Sequence, residues 1–355
     1  MLDINLIRNK PEIIEKDLRK RDMREKIKDL EKLRELDRNW RDAKQESEKL
    51  RHQRNVVSRE IAQLKKQGKD ISAKIKIAKD LPAKIEKSDE KRDMLRKEMN
   101  EILMRLPNIL HESVPVGVDD TDNVVVKKYG KKTKKDFEIK SHVDILEKQD
   151  FADTEKAAEV SGSRFYYLKR ELVLLDLALM RYAMDILHKK GFILMEPPFM
   201  MRREPYEGVT SLDDFKDVMY KIEDEDLYLI ATSEHPIAAY HLDDVIDEDK
   251  LPLKYAGLSP CFRKEAGSHG KDTKGIFRVH HFNKIEQFIF SKPEDSWKFH
   301  EEMIKNAEEV VKGLELPFRI VNVCTGDIGT IAAKKYDLEV WMPVQNKYRE
   351  LISCS

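Results

Sequence analysis

From residue 30 to residue 106 the apolar positions advance by alternating steps of three and four. Leu33, Leu36, Trp40, Ala43, Ser47, Leu50, Arg54, Val57, Ile61 and Leu64 form one stripe, interrupted only by Ser47 and Arg54. After a break at KKQGKD the alternation resumes through Ile85, Ser88, Arg92, Leu95, Met99, Ile102 and Leu106. This spacing is a coiled-coil seam, and two seams joined by a short glycine-containing turn predict an antiparallel helical hairpin. Pro82 has no amide hydrogen for a helix interior, so it predicts a kink or a late start of the return helix. LPNILHESVPVGVDDTDN ends the hairpin, and the following KKYGKKTKK is expected as a surface hairpin. From about residue 140 the period changes. RELVLLDLALMRYAMDILHKKG reads as a long buried helix closed by Gly191, and short strand-like runs alternate with loops after it. The predicted fold is α+β with a largely antiparallel sheet. Its predicted divisions are an N-terminal arm domain at 1–110, a linker at 111–140 and a globular domain at 141–355.

Charge alters this picture more than composition does. At 355 residues and 40% hydrophobic, the chain can bury at least one large core. Its 67 Lys and Arg balance 67 Asp and Glu, so attraction to a charged partner must come from placement. Between Arg51 and Arg105 the basic residues exceed the acidic by about seven, and the remainder is acidic to match. The outer half of the hairpin holds Arg51, Arg54, Arg59, Lys65, Lys66, Lys69, Lys74, Lys76 and Lys79. Such a surface is a solvated helical face, a probe for a phosphate backbone or the flank of a coiled-coil dimer; charge alone leaves all three open. No apolar run is long enough to cross a bilayer, and the start lacks the order of a signal peptide, so a cytoplasmic protein without membrane contact is expected. Cys261, Cys324 and Cys354 are odd in number, far apart and outside CxxC spacing, so neither a disulfide framework nor a zinc site is expected.

The stretch CFRKEAGSHGKDTKGIFRVHHFNKIEQFIF, residues 261–290, reads as strand, polar loop, strand. Alternation would put Arg263 and Glu265 on one face of the first strand, and Glu286 with Phe282, Phe288 and Phe290 on one face of the second. A carboxylate among aromatics needs a cation or a donor, either an internal pair with an arginine or a ligand. The loop AGSHGKDTKG can close over an anion but matches neither GxxxxGKS nor GxGxxG. His280 and His281 are not at metal-ligand spacing and read as structural.

FRKE, the polar loop and FRVHHFNKIEQF together resemble motif 2 of class II aminoacyl-tRNA synthetases. GFILMEPP resembles their motif 1, and TSEHP resembles the T-x-E loop of the seryl-tRNA synthetase family. YDLEVWMPVQNKYRELISCS resembles that family's late strands, and the basic hairpin resembles its tRNA-binding arm. The resemblance implies a class II antiparallel-sheet catalytic domain over 141–355 and a homodimer with motif 1 at its interface. It also implies roles for individual residues. Arg263 would neutralise the α-phosphate of ATP and orient the serine carboxylate, two anions that otherwise repel. Glu265 would accept from the adenine amino group, with Lys264 beside it and the main chain of Val279 against the base. Thr232, Ser233 and Glu234 would form the L-serine pocket, Glu234 facing the ammonium group, while Glu286 accepts from the serine hydroxyl. Glu350, Leu351, Ile352 and Ser353 match a further ATP-contacting stretch, in which Glu350 would hold magnesium. The implied reaction makes seryl-adenylate from serine and ATP, then passes the seryl group to tRNA(Ser), with tRNA(Sec) a further acceptor. The arm residues Arg51, Arg54, Arg59, Lys65, Lys66, Lys69, Lys74 and Lys76 would hold the tRNA. The sequence ends at SCS, ahead of the family's motif 3, so a shortened chain of a longer enzyme is expected; a non-catalytic, synthetase-derived tRNA-binding protein is the alternative.

Overall fold

The computed structural model describes residues 2–133, 135–210, 218–265 and 274–355. They form two compact units: residues up to Leu110 together with Gly329–Ile331, and the remainder.

In the first unit, α1 (Ile4–Asn9) and α2 (Pro11–Lys20) precede the long helices α3 (Lys26–Lys66) and α4 (Ser72–Leu103). The seam expected from the sequence is what they bury. Leu33, Leu36, Ala43, Leu50 and Val57 of α3 face Leu81, Ile85, Leu95 and Met99 of α4, each below a tenth exposed. At the inner end these meet Ile7, Ile14 and Leu18. Burying one such side chain contributes about 1.5–3 kcal/mol, which adds to the good helix propensity of the Lys, Arg, Glu and Leu that fill both helices. The polar seam positions diverge. Ser47 is buried and donates to Asp89 at 2.6 Å, and Asp89 also receives Arg51 at 2.6 Å and Arg92 at 3.0 Å. Arg54 is exposed. Pro82 lies inside α4, which begins at Ser72, so the return helix has no late start. The cost of the proline falls on the carbonyl of Ala78, four residues earlier, which receives no amide hydrogen from position 82.

The second unit begins with β1 (Val124–Tyr129), α5 (His142–Lys148), β2 (Ala152–Asp153), α6 (Thr154–Ser161), β3 (Tyr167–Leu168) and α7 (Glu171–Lys189). There follow β4 (Ile193–Met195), β5 (Met200–Met201), α8 (Arg203–Glu207), β6 (Tyr228–Leu229), α9 (Glu234–Ala238), β7 (Leu253–Phe262) and β8 (His281–Phe290). The last elements are α10 (Ser296–Gly313), β9 (Phe318–Asn322), β10 (Tyr336–Met342) and β11 (Lys347–Cys354). β7 and β8 pair antiparallel from Leu253 opposite Phe290 to Phe262 opposite His281, and β4 joins β7 in parallel. A separate antiparallel sheet has the order β1, β9, β10, β11. Its inner face, including Phe318, Ile320 and Leu338, packs on Ile304, Ala307 and Val311 of α10.

Three local expectations change. Residues 111–140, read as a linker, supply β1 to the four-stranded sheet. Among its described residues KKYGKKTKK forms no hairpin: β1 ends at Tyr129, Gly130 takes φ +73°, and the Lys132 ammonium lies 3.4 Å from the Trp341 ring centroid. A run of lysines has no alternation to hold a returning strand. α7 is the helix predicted, but Leu187 is its single buried residue, while Leu174 and Leu177 are 66% and 54% exposed. Its apolar stripe has no cover among the described residues. The strand, loop, strand order around residue 270 holds at β7 and β8, with loop residues 266–273 outside the described residues. Among the described residues no helix is long and apolar enough to cross a membrane.

Candidate active site

Three segments of the second unit converge on a cavity of about 360 Å³ whose lining includes Thr232, Glu234, His235, Arg263, Glu265 and Lys284. The first is the turn into α9. Thr232 and Ser233 are buried, and the Ser233 hydroxyl donates to the Gly257 carbonyl at 3.4 Å. A Cβ at Gly257 would stand 2.5 Å from Ile237 and 2.7 Å from the Ser233 Oγ, so glycine lets this turn lie on β7. Tyr206 braces the turn from both ends: its hydroxyl accepts from the Ala231 amide at 3.1 Å and meets His235 Nδ1 at 3.1 Å. Burial pushes Tyr206 up to about 12. Burial, followed by the charges of Lys284 and Arg263, pushes His235 down to about 3. Both are therefore neutral near pH 7.

The second segment follows β7. The strand stops at Phe262 and Glu265 takes φ +49°, so Arg263 and Glu265 do not share a strand face as expected. Both nonetheless line the cavity. The Arg263 guanidinium donates from Nε to the Ala231 carbonyl at 3.3 Å and lies 5.1 Å from the Phe282 ring centroid. Arg278 donates to the Glu265 carboxylate at 2.7 Å, and Arg164 donates to its main-chain carbonyl at 3.1 Å.

β8 supplies the third segment. Glu286 accepts from the Thr232 hydroxyl at 3.0 Å and pairs with Lys284, which also donates to Thr232 at 3.2 Å. The cation demanded by this carboxylate is thus a lysine two residues away, not an arginine. Alternation places Lys284 on the face of Phe282 and Glu286, so carrying that pattern one step further would have found it. Burial and then the charge of Glu286 raise the pKa of Glu234. For Lys284, burial pulls the pKa down but the neighbouring carboxylates outweigh it, giving a net rise. Tyr206 and His235 carried no sequence signal of a role here, because their contacts span 25 and 29 residues.

Several expected site residues lie apart from the cavity lining. Ser233 turns to β7, Val279 is buried, and Lys264 places its ammonium 5.9 Å from the Tyr220 ring centroid. Glu350, Leu351, Ile352 and Ser353 lie on β11 of the other sheet, with Glu350 and Ser353 exposed. Opposite Ser353 stands Asp337, buried, with no hydrogen-bond partner for Oδ1 among the described residues and a pKa raised to about 6 by burial and then by Glu350. These hard oxygen donors suit magnesium, which takes one or two carboxylates and completes its shell with phosphate and water. Among the described residues no three His, Cys, Asp or Glu side chains gather into a metal cluster. On the arm, Arg54, Arg59, Lys65, Lys66, Lys69 and Lys76 are exposed, while Arg51 pairs with Asp89 and Lys74 with Glu60, both at 2.6 Å.

Known proteins resemble this chain in sequence and in fold. Residues 1–110 match the seryl-tRNA synthetase N-terminal domain, and residues 220–355 match the class II tRNA synthetase core domain for G, H, P, S and T. The serine–tRNA ligase of Methanocella arvoryzae is 54% identical over 355 residues, covering 100% of this chain and 84% of that protein. The chain belongs to the seryl-tRNA synthetase family. Among solved structures of this family, the Pyrococcus horikoshii seryl-tRNA synthetase complexed with ATP superposes with a TM-score of 0.90 at 49% identity, over 99% of this chain and 83% of that one. The cytoplasmic serine-tRNA ligase of Naegleria fowleri in complex with AMP gives a TM-score of 0.85 at 37% identity, over 100% and 85%. The fold is thus the class II synthetase fold with an N-terminal helical arm.

Proposed function

We propose that the cavity beside α9 is where L-serine and the α-phosphate of ATP meet. The reaction class is that of the family: ATP-dependent activation of serine and its transfer to tRNA. Carrying the residue assignment is the meeting of Arg263, Glu265, Thr232 and Glu234 around one cavity from segments far apart in the chain. Arg263, held by Ala231 and Phe282, offers its remaining donors to the serine carboxylate and the α-phosphate, screening two anions that must approach. Glu234 faces the ammonium group, Glu286 accepts from the substrate hydroxyl, and Glu265 receives the adenine amino group beside Lys264 and the Val279 main chain. The serine carboxylate attacks the α-phosphate, pyrophosphate leaves, and a terminal ribose hydroxyl of the tRNA then takes the seryl group. Alignment and charge neutralisation supply the rate, with no general base required in the first step. Magnesium held by Glu350 within the 350–353 stretch would supply positive charge to the triphosphate.

The wider assignment divides the chain into a tRNA-binding arm domain at 1–110 and a catalytic domain at 141–355, with the segment at 111–140 leading from one to the other and lending β1 to the sheet of the second. The exposed arm lysines and arginines grip the tRNA backbone of tRNA(Ser), and tRNA(Sec) is a second acceptor. Two chains form a homodimer across α7 and the motif 1 strand β4, and the enzyme works in the cytoplasm. Serine-dependent exchange of pyrophosphate into ATP tests the activation step. Arg263→Ala should reduce exchange by about 100-fold or more while the dimer stays intact. Exchange at the unaltered rate would remove Arg263 from the site.

A further inference from the structure

We propose that Lys284 is the residue that makes the cavity read a hydroxyl, by holding Glu286 as a charged acceptor. The proposal rests on the assignment of this cavity to serine. Glu234 from α9, Arg263 and Glu265 after β7, and Lys284 of β8 line the cavity, with Glu286 paired to Lys284; Glu265 is already matched by Arg278, which leaves Glu234, Glu286, Arg263 and Lys284 to set its balance. Two carboxylates meet two cations, so a zwitterionic amino acid enters without disturbing the sum. Its ammonium takes Glu234 and its carboxylate takes Arg263. Left over is the pair of Lys284 and Glu286, which faces whatever the side chain brings.

The contacts of that pair are directional. Thr232 has one hydroxyl hydrogen, given to Glu286 Oε2, and its oxygen accepts from Lys284. Lys284 pairs with the same Oε2. Oε1 is the oxygen left for a substrate hydroxyl. Without Lys284, two carboxylates would share Arg263 alone, and uptake of a proton by one of them is the least costly relief. The other ionisable groups packed there give no replacement, since His235 is neutral and Cys261 is a buried thiol. A protonated Glu286 makes weaker, neutral hydrogen bonds and loses its obligatory acceptor character.

The test uses Lys284→Met and Lys284→Arg with L-serine and L-alanine as probes, in the presence of a non-hydrolysable ATP analogue, followed by calorimetry. Lys284→Met should shrink the preference for serine over alanine roughly 10- to 100-fold, the range of a charge-assisted hydrogen bond, with nucleotide affinity unchanged. Lys284→Arg should keep most of the preference. Equal losses for serine and alanine would overturn the proposal, because Lys284 would then serve only the shape of the site. If Lys284→Met loses the nucleotide as well, Lys284→Arg decides: a kept preference supports the role and a lost one refutes it. Failure of the unaltered protein to bind serine overturns the cavity assignment first, and this role with it.

Discussion

His235 carries its neutral form into a place where the unfolded chain would carry a charge. Its pKa falls from the ordinary histidine range to about 3 on burial, so between about pH 3 and pH 6.5 the unfolded chain binds the extra proton. Stability therefore rises with pH through that window, by up to roughly 1.4 kcal/mol per unit, and the full contribution is present above it. Melting temperatures measured from pH 7 down to pH 4 should fall, and His235→Asn should flatten the decline; equally steep profiles would place the acid sensitivity elsewhere. At this scale the sequence was informative where chemistry and spacing coincide. The resemblance of TSEHP and FRKE to family motifs implied Thr232, Glu234, Arg263 and Glu265, and all four line the cavity. Lys284 was within reach, because it shares a strand face with Glu286. Tyr206 was not: the short helix that carries it has no periodicity, and the chain returns to it only at Ala231 and His235.

Among the elements, the coiled coil was the most legible, because a seam is written in steps of three and four within each helix. Ser47, which interrupts that seam, is accommodated by Asp89 and its arginines. α7 shows the complementary limit. Its leucines announce that a surface will be covered, but periodicity cannot say by what, and the cover is not among the described residues. The arm supports a prediction of its own. Replacing residues 54–76 by a short glycine-containing turn should spare serine-dependent exchange and lower tRNA charging by about 100-fold or more, since six or more phosphate contacts dominate such affinities. Parallel loss of both activities would make the arm structural rather than a tRNA grip.

At the level of the whole molecule, the homodimer proposed above would cover the exposed stripe of α7. Leu174→Glu with Leu177→Glu, one helical turn apart, should convert dimer to monomer in sedimentation equilibrium. An unchanged mass would put the interface elsewhere. The two units also differ in how their contacts are spaced along the chain. Residues through Leu110 hold nearly all of the first unit, but Gly329–Ile331 belong to it as well. The Gly329 carbonyl accepts from the buried Arg21 guanidinium at 2.7 Å, and those of Thr330 and Ile331 accept from Asn108 at 2.8 and 3.1 Å. A ribosome adding about 5–20 residues each second reaches position 329 roughly 10–45 s after it has finished the arm. For that interval the newborn arm presents an arginine that lacks one of its acceptors, and the first unit is completed only after β1 to β9 of the second have been synthesised.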